Sequence, residues 1–478
     1  MTRIQSLLLA LSIFINPIIT LADPIKVHPA NPRYFIHDGQ TVYLIGHQIS
    51  LDLQDPKSCE KPFNWQNHLN WMKQRNINYV RNWTWWSMGS NADKNPNCTR
   101  FPLMYKRTGP GNAIDGKPKF NLERFEQAFF DRMRTRVMQA EAKEVYISIM
   151  LFEVYSFYRS NSQSVNESRW GGNPFRGANN VNGVNALDED NKGCDFFYTS
   201  NAKIRNLQKA YVKKVIDTLN EFDNVIYEIA NELYAPNFQN DMANYIKSHE
   251  ASKPKQHLVY LSHGGRSSSC SWKAMTESQV INSPADIYAP SHNWNGFPNN
   301  PPMSAGTKPA VWDVDHIFGD HWEDPKWAWT AFTRGYHFCL YDNEIWESTQ
   351  IPTSAYERMR YNMGAILNYA NAAINLAAMN PRNDLSSTGF CLANPGMEYI
   401  IYQPGSSSFT IKGLSDNTEY SYQWFNTDSY SEQGTGTITT SGSSRSFSPP
   451  FSKAVLVLKY GSGIAPDTIP RNHDRRKP

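Results

Sequence analysis

The chain has 478 residues, 40% of them hydrophobic and 13% aromatic. That is enough apolar material for at least one large core, and it excludes a disordered protein. A formal charge of +3 on this length argues against nucleic acid or a membrane surface as a partner. The 14 Trp and 25 Tyr offer flat apolar faces with a polar edge, which suit stacking on sugar rings as well as core packing.

Residues 1–22 carry Arg3, an apolar run from Leu7, and small residues around Thr20 and Ala22 before Asp23. This pattern reads as a signal peptide. Pro17 interrupts a run already short for spanning, which argues against a membrane anchor. A secreted location, extracellular or periplasmic, is therefore expected, with no membrane attachment after cleavage. All six cysteines (Cys59, Cys98, Cys194, Cys270, Cys339 and Cys391) lie beyond the leader, so disulfides are permitted. Cys59 with Cys98 is the pairing that loop-like flanks favour, although sequence does not give connectivity. The absence of a CxxC motif argues against a zinc site or redox motif. Asn97-Cys98-Thr99 and Asn166-Glu167-Ser168 match the glycosylation sequon.

After the leader, short strands joined at Asp38-Gly39 give a hairpin signal. Apolar runs of strand length then alternate with helical periods. The expected strands are Val42–His47, Ile77–Trp83, Val145–Phe152, Val225–Asn231, His257–Ser262, Asp286–Pro290, Ala310–Asp315 and His337–Asp342. Leu122, Phe125, Phe129, Met133 and Val137 recur at helical spacing, as do Ile204, Leu207, Tyr211 and Val215, and a long helix is expected from Thr353 to Met379. Eight such alternations predict an α/β fold, a (β/α)8 TIM barrel over residues 23–383. The alternative, an open doubly wound sheet, finds no GxGxxG after the first strand.

Two connections, Thr84–Phe120 and Glu153–Ala202, are longer than a barrel needs. Both follow strands and so belong to the C-terminal face, where barrels bind substrates. They hold Trp85, Trp86, Tyr105, Tyr155, Tyr158, Trp170 and the run NNVNGVN from Asn179. Beyond about Asn383 the composition turns to Ser, Thr, Gly and Tyr with alternating apolar residues. A small C-terminal antiparallel β-sandwich is expected over 384–460, then a disordered tail over 461–478.

Glycosidic hydrolysis needs one carboxyl to protonate the leaving oxygen and a second to attack or stabilise the sugar cation. The apolar run Val225-Ile226-Tyr227-Glu228-Ile229-Ala230-Asn231-Glu232 presents a carboxylate where the fourth strand leaves the barrel. Glu232 is thus the expected acid/base. Glu228, deeper in the same strand, is expected to partner Arg81 inside the barrel.

Asn231-Glu232 resembles the clan A glycoside hydrolases, where an Asn-Glu pair ends the fourth strand and the Glu is the general acid/base. Tyr79-Val80-Arg81-Asn82-Trp83 is similar to the clan's second strand, with an Arg beneath the nucleophile, and Ser291-His292-Asn293-Trp294 to its sixth-strand element. NPRYFIHDGQTVYLIG, FNLERFEQAFFDRMRTRV, WGGNPF and CLANPGMEYIIYQPG resemble apiosidase-like, cellulase-type proteins that pair the barrel with a module labelled collagen-binding. The resemblance implies a Glu nucleophile ending the seventh strand. Here that segment reads Lys308-Pro309-Ala310-Val311-Trp312-Asp313-Val314-Asp315-His316 and has no Glu.

Asp313 and Asp315 share one side of the strand by alternation, and Asp315, nearer the strand end, is the preferred second carboxylate. A gap of roughly 5–5.5 Å to Glu232 would favour a retaining reaction and one of roughly 6.5–9.5 Å an inverting one. Asn231, Arg81, His47, His292, Trp294, Trp312, His316 and Trp170 are expected to bind substrate, and Asp342 to hold a sugar hydroxyl or position Glu232. His316, Asp320 and His321 cluster near Asp315 but match no zinc pattern, so no metal and no cofactor is expected. The expected function is a secreted, monomeric O-glycoside hydrolase, retaining, acting on a poly- or oligosaccharide. The competing reading is a catalytically silent carbohydrate-binding or adhesion protein, suggested by the missing seventh-strand Glu.

Overall fold

The computed structural model describes residues 23–49, 53–54, 63–89, 99–157, 169–186, 195–262, 275–290, 300–314, 323–342, 356–461 and 463–464. The leader, Cys59, Cys98, Cys194, Cys270, the sequon asparagines, His292, Trp294, Asp315, His316 and the tail beyond Ile464 lie outside these residues.

Eight parallel strands form one sheet: β1 (Ile45–Ile49), β2 (Tyr79–Asn82), β3 (Tyr146–Glu153), β4 (Val225–Asn231), β5 (Leu258–Leu261), β6 (Ile287–Tyr288), β7 (Val311–Asp313) and β8 (His337–Leu340). Their order is β6-β5-β4-β3-β2-β1-β8-β7. A parallel bridge from Tyr288 to Ala310 links β6 to the start of β7 and closes the ring. Each strand overlaps one expected from the alternation of apolar runs, although Val42, the expected start of the first, belongs to the hairpin strand before it. Helices α1 (Trp65–Gln74), α2 (Gln127–Glu141), α3 (Ala202–Leu219), α4 (Pro236–Glu250), α5 (Glu277–Ile281), α6 (Lys326–Thr333) and α7 (Glu357–Asn368) lie between or after the strands. Ile204, Leu207, Tyr211 and Val215 form the buried stripe of α3, as their spacing requires.

At the hairpin before β1, Asp38 (φ 48°) and Gly39 (φ 75°) both take the left-handed conformation, so Phe35–His37 pairs tightly with Gln40–Val42.

Two expected helices change. Leu122 and Phe125 belong to a strand, Pro118–Phe125, that pairs with Tyr105–Asn112, and α2 starts only at Gln127. Alternation of Phe120 and Leu122 toward the core had mimicked part of a helical period. The last helix ends at Asn368 and continues as a wide turn through Ala373 and a short turn at Leu376–Ala378.

The narrow N-terminal part of the barrel interior is filled by Leu44, Tyr79, Ile226, Leu258, Tyr260, Ile287, Val311 and Cys339. Gly46 lies in this wall, where an added Cβ would come within 1.7 Å of the Tyr79 carbonyl oxygen. No side chain fits there.

The remaining strands are antiparallel: β9 (Asn380–Pro381), β10 (Cys391–Asn394), β11 (Glu398–Gln403), β12 (Phe409–Lys412), β13 (Glu419–Asn426), β14 (Ser431–Thr439), β15 (Ser444–Phe447) and β16 (Ala454–Tyr460). Six form a sheet in the order β9-β10-β11-β16-β13-β14, and β12 pairs with β15. The sheet thus begins at Asn380, a few residues before the composition shift. One face, with Ile401, Tyr420, Trp424 and Leu456, packs under the β12–β15 pair. Its other face, with Ile400, Phe425 and Val457, joins the barrel's outer core, Phe425 lying 5.6 Å from the Trp329 ring of α6. The Cys391 thiol is buried in the sheet's core.

Candidate active site at the C-terminal mouth of the barrel

Alternation along the strands decides which side chains reach the barrel interior. Gln48 of β1, Arg81 of β2, Glu228 of β4 and Asp313 of β7 all point inward and meet. The Arg81 guanidinium makes five hydrogen bonds there. Nε and Nη2 donate to the two Glu228 carboxylate oxygens at 2.8 and 2.5 Å. Nη1 donates to Gln48 Oε1 at 2.9 Å and to Asp313 Oδ2 at 2.5 Å. Nη2 also donates to Asn231 Oδ1 at 2.6 Å. Glu228 takes a further long bond from Ser148 Oγ of β3.

Burial alone would pull the Arg81 pKa down, but Glu228 and Asp313 outweigh it and hold the guanidinium well above its ordinary value. One fixed cation therefore faces two carboxylates. Tyr260 and Tyr79 close the floor. Burial first, then Glu228 at Tyr260 and Cys339 followed by Glu228 at Tyr79, pushes both phenols well above their usual range, so they stay neutral.

Beyond Asn231 the chain leaves the strand at Glu232, whose φ is +52°. A non-glycine residue in the left-handed region is uncommon and costs conformational energy, a pattern concentrated at functional sites. The reversal ends the strand's alternation at this residue. Glu232 keeps 7% of its surface exposed while Glu228 keeps none, so of the two glutamates it is the one open to a substrate. Asp313 is exposed to a similar extent, 8%. The Asn231 Nδ2 is buried and has no hydrogen-bond partner among the described residues, leaving a donor beside Glu232.

Several expected site residues lie elsewhere. His47 follows Gly46, which faces inward, so it points outward toward α1. There its Nε2 shares a 2.8 Å hydrogen bond with His68 Nε2. Burial lowers the pKa of both, His68 to about 3, with the His68 and Arg360 charges adding to the effect at His47 and Arg360 at His68. Both rings are neutral, one donating and one accepting.

Trp312 sits between the inward Val311 and Asp313 and also points outward, 6.1 Å from both Trp327 and Tyr336. Trp170 has no exposed surface and packs 5.9 Å from Phe157. Trp312 and Trp170 are thus both buried among aromatic rings. Asp342 is likewise internal, in a buried ion pair with Arg360 of α7. Glu153 accepts from the backbone N–H of Ser156 and Trp86 and so ties down the loop after β3. The Asn run is structural too: Asn180 Nδ2 donates to the carbonyls of Pro174, Arg176 and Val184.

Gln48, next to the expected His47, is the β1 residue that reaches Arg81. Its signal was Gly46: a glycine inside a strand marks close approach of another backbone, which sets the inward parity at 46 and 48. Gln48 Oε1 also accepts from Trp83 Nε1 at 3.3 Å, linking the Arg81 cluster to Trp83, Trp85 and Met150 at the mouth.

A domain family of unknown function (DUF6298) matches residues 91–274, a stretch that contains β3, β4, β5 and Glu232. No curated protein matches the chain. Among solved structures, one described as a glycoside hydrolase is 13% identical with a TM-score of 0.55, over 92% of this chain and 97% of its own. A glycoside hydrolase family 5 structure from Bacteroides vulgatus is 14% identical with a TM-score of 0.57, over 93% of this chain and 96% of its own. At these identities the likeness is one of fold, and it extends through both the barrel and the C-terminal sheets.

Proposed function

We propose that the chain is a secreted O-glycoside hydrolase acting on a poly- or oligosaccharide, with Glu232 as general acid/base and Asp313 as the second carboxylate. The observation that carries the reading is the Arg81 cluster. A single guanidinium holds both Asp313 and Asn231, the residue that precedes Glu232, so β4 and β7 bring their carboxylates to one end of the barrel. Fold alone would not support this, since barrels host many chemistries. The glycoside hydrolases with similar folds and the leader-like residues 1–22 agree with it.

In this mechanism Glu232 protonates the leaving oxygen while Asp313 meets the cationic sugar carbon from the other face. The guanidinium donates to Asp313 and fixes its position, and Asn231 Nδ2 offers a hydrogen bond to a sugar hydroxyl. The aspartate at the seventh strand is one methylene shorter than the glutamate of the clan that the sequence resembles. The resulting separation from Glu232 decides between direct attack and attack through a water.

A polysaccharide panel assayed for released reducing ends tests the proposal. Asp313→Asn is expected to abolish release and Asp315→Asn to retain it. The reverse result would move the second carboxylate to Asp315. A protein that retained a glycan yet released none would support the silent binding protein instead. NMR of the first-formed anomer then reads retention or inversion.

A further inference from the structure

Residues between Thr99 and Ala128, on the C-terminal side of β2, line a cavity of about 320 Å3 on the same end of the barrel as the carboxylates. It falls at the lower end of the roughly 300–1,000 Å3 typical of small-molecule sites. Three cations, Arg100, Arg107 and Lys117, line it against one carboxylate, Glu126. Arg107 is matched outside the lining by Asp115, in a two-pronged ion pair. Lys117 is not: its Nζ donates only to Thr99 Oγ1, at 3.3 Å, and it is in no ion pair among the described residues. At the rim Phe101 leaves 49% of its surface exposed, a flat apolar face beside an uncompensated cation.

The cavity's place relative to the carboxylates follows from a continuous set of contacts. Arg100 lies 4.3 Å over the Trp85 ring. Trp85 is 5.4 Å from Trp83, and Trp83 reaches Gln48 and through it Arg81. Trp83 and Trp85 are themselves buried, which leaves Phe101 as the exposed stacking face.

We propose that this cavity is a distal subsite for an anionic sugar residue, one bearing a carboxylate or a sulfate ester, so that the substrate is an acidic polysaccharide. An exposed aromatic face takes the apolar side of a pyranose ring, and an ammonium group with no ion pair among the described residues takes its negative charge. The inference rests on the hydrolase reading for the word substrate, but its binding content stands apart from it.

Calorimetric titration of the full-length Glu232→Gln protein, which prevents turnover, provides the test. The probes are oligogalacturonate, a sulfated galactan oligomer and a neutral galactan oligomer of equal length. At least one anionic probe is expected to bind about tenfold tighter than the neutral one at low salt, with the preference shrinking as salt rises. The carboxylate and sulfate arms identify which charge is read. Lys117→Gln is expected to remove the preference, Lys117→Arg to keep it, and Phe101→Ala to weaken all three probes alike.

Equal affinity for neutral and anionic probes, binding of none of them, or a preference unchanged in Lys117→Gln would overturn the proposal. Cleavage of a neutral glycan alone would sink it and leave Glu232 as acid/base. Selective anionic binding with no cleavage of any glycan would do the opposite.

Discussion

Replacing Arg81 by methionine removes the one cation from a buried cluster and leaves Glu228, with no exposed surface, and Asp313, with 8%, facing each other. Five hydrogen bonds are lost, two of them to Glu228, whose charge then has no counter-ion in the described cluster. Breaking a buried pair by removing one partner costs about 3–5 kcal/mol. The variant can escape part of that cost by holding a proton on a carboxylate.

The folded carboxylate pKa is then raised above its unfolded value, so the native state binds the extra proton. The compensation is present at low pH and is lost as pH rises through the raised pKa. Destabilisation relative to the wild type is therefore expected to be larger near about pH 8 than near about pH 5, by roughly 1.4 kcal/mol for each unit by which the raised pKa exceeds about 5. Urea unfolding of both proteins at the two pH values measures this difference, and adding Glu228→Gln to the variant is expected to restore part of the loss. A loss below about 1 kcal/mol, the range of exposed pairs, with no dependence on pH, would refute the view of Arg81 as the cluster's central charge.

Two other outcomes follow from local conformation and buried rings. Because Glu232 has φ +52°, Glu232→Gly is expected to be more stable than Glu232→Ala by about 1 kcal/mol, read as a difference in melting temperature between two variants that both lack the carboxylate. His68 and His337 are held near a pKa of about 3, with burial as the largest cause. His337 Nδ1 accepts from the Leu44 N–H and its Nε2 lies 3.0 Å from the Arg33 carbonyl oxygen, which fixes the neutral tautomer. The stability these rings contribute is complete above the unfolded value near about 6.5 and is lost as pH falls toward about 3, reaching roughly 2–3 kcal/mol for each ring by about pH 4.5. NMR titration of the imidazole C–H signals is expected to show no protonation of either ring between about pH 8 and 5, and a midpoint near 6.5 for either would contradict its assigned burial.

The barrel was legible because its strands carry dense apolar runs, as in Val145–Phe152 and Val225–Asn231, bounded by turn residues. Glu228 as the partner of Arg81 was legible too, since both are charged residues set in apolar strands and neither could be buried alone. The inserted hairpin was not, because Phe120, Leu122 and Phe125 face the core at a spacing that fits either period. His47 and Trp312 point outward by the same alternation that turns Asp313 inward: strand parity needs one anchored residue, and on β1 that anchor is Gly46. Trp170 and Asp342 could not be distinguished from site residues by type, because their partners, Phe157 and Arg360, come from other segments of the chain. The left-handed turn at Glu232 had no sequence signal, since a glutamate there runs against local preference.

The central claim is that Glu232 is the acid/base of a hydrolytic site, and it is tested most directly by comparing wild type with Glu232→Gln on a glycan that the wild type cleaves. Glu232→Gln is expected to keep the wild-type unfolding midpoint and to bind the glycan, while kcat falls by about 100-fold or more, the scale of a lost general acid. Undiminished kcat in a folded Glu232→Gln protein would contradict the account.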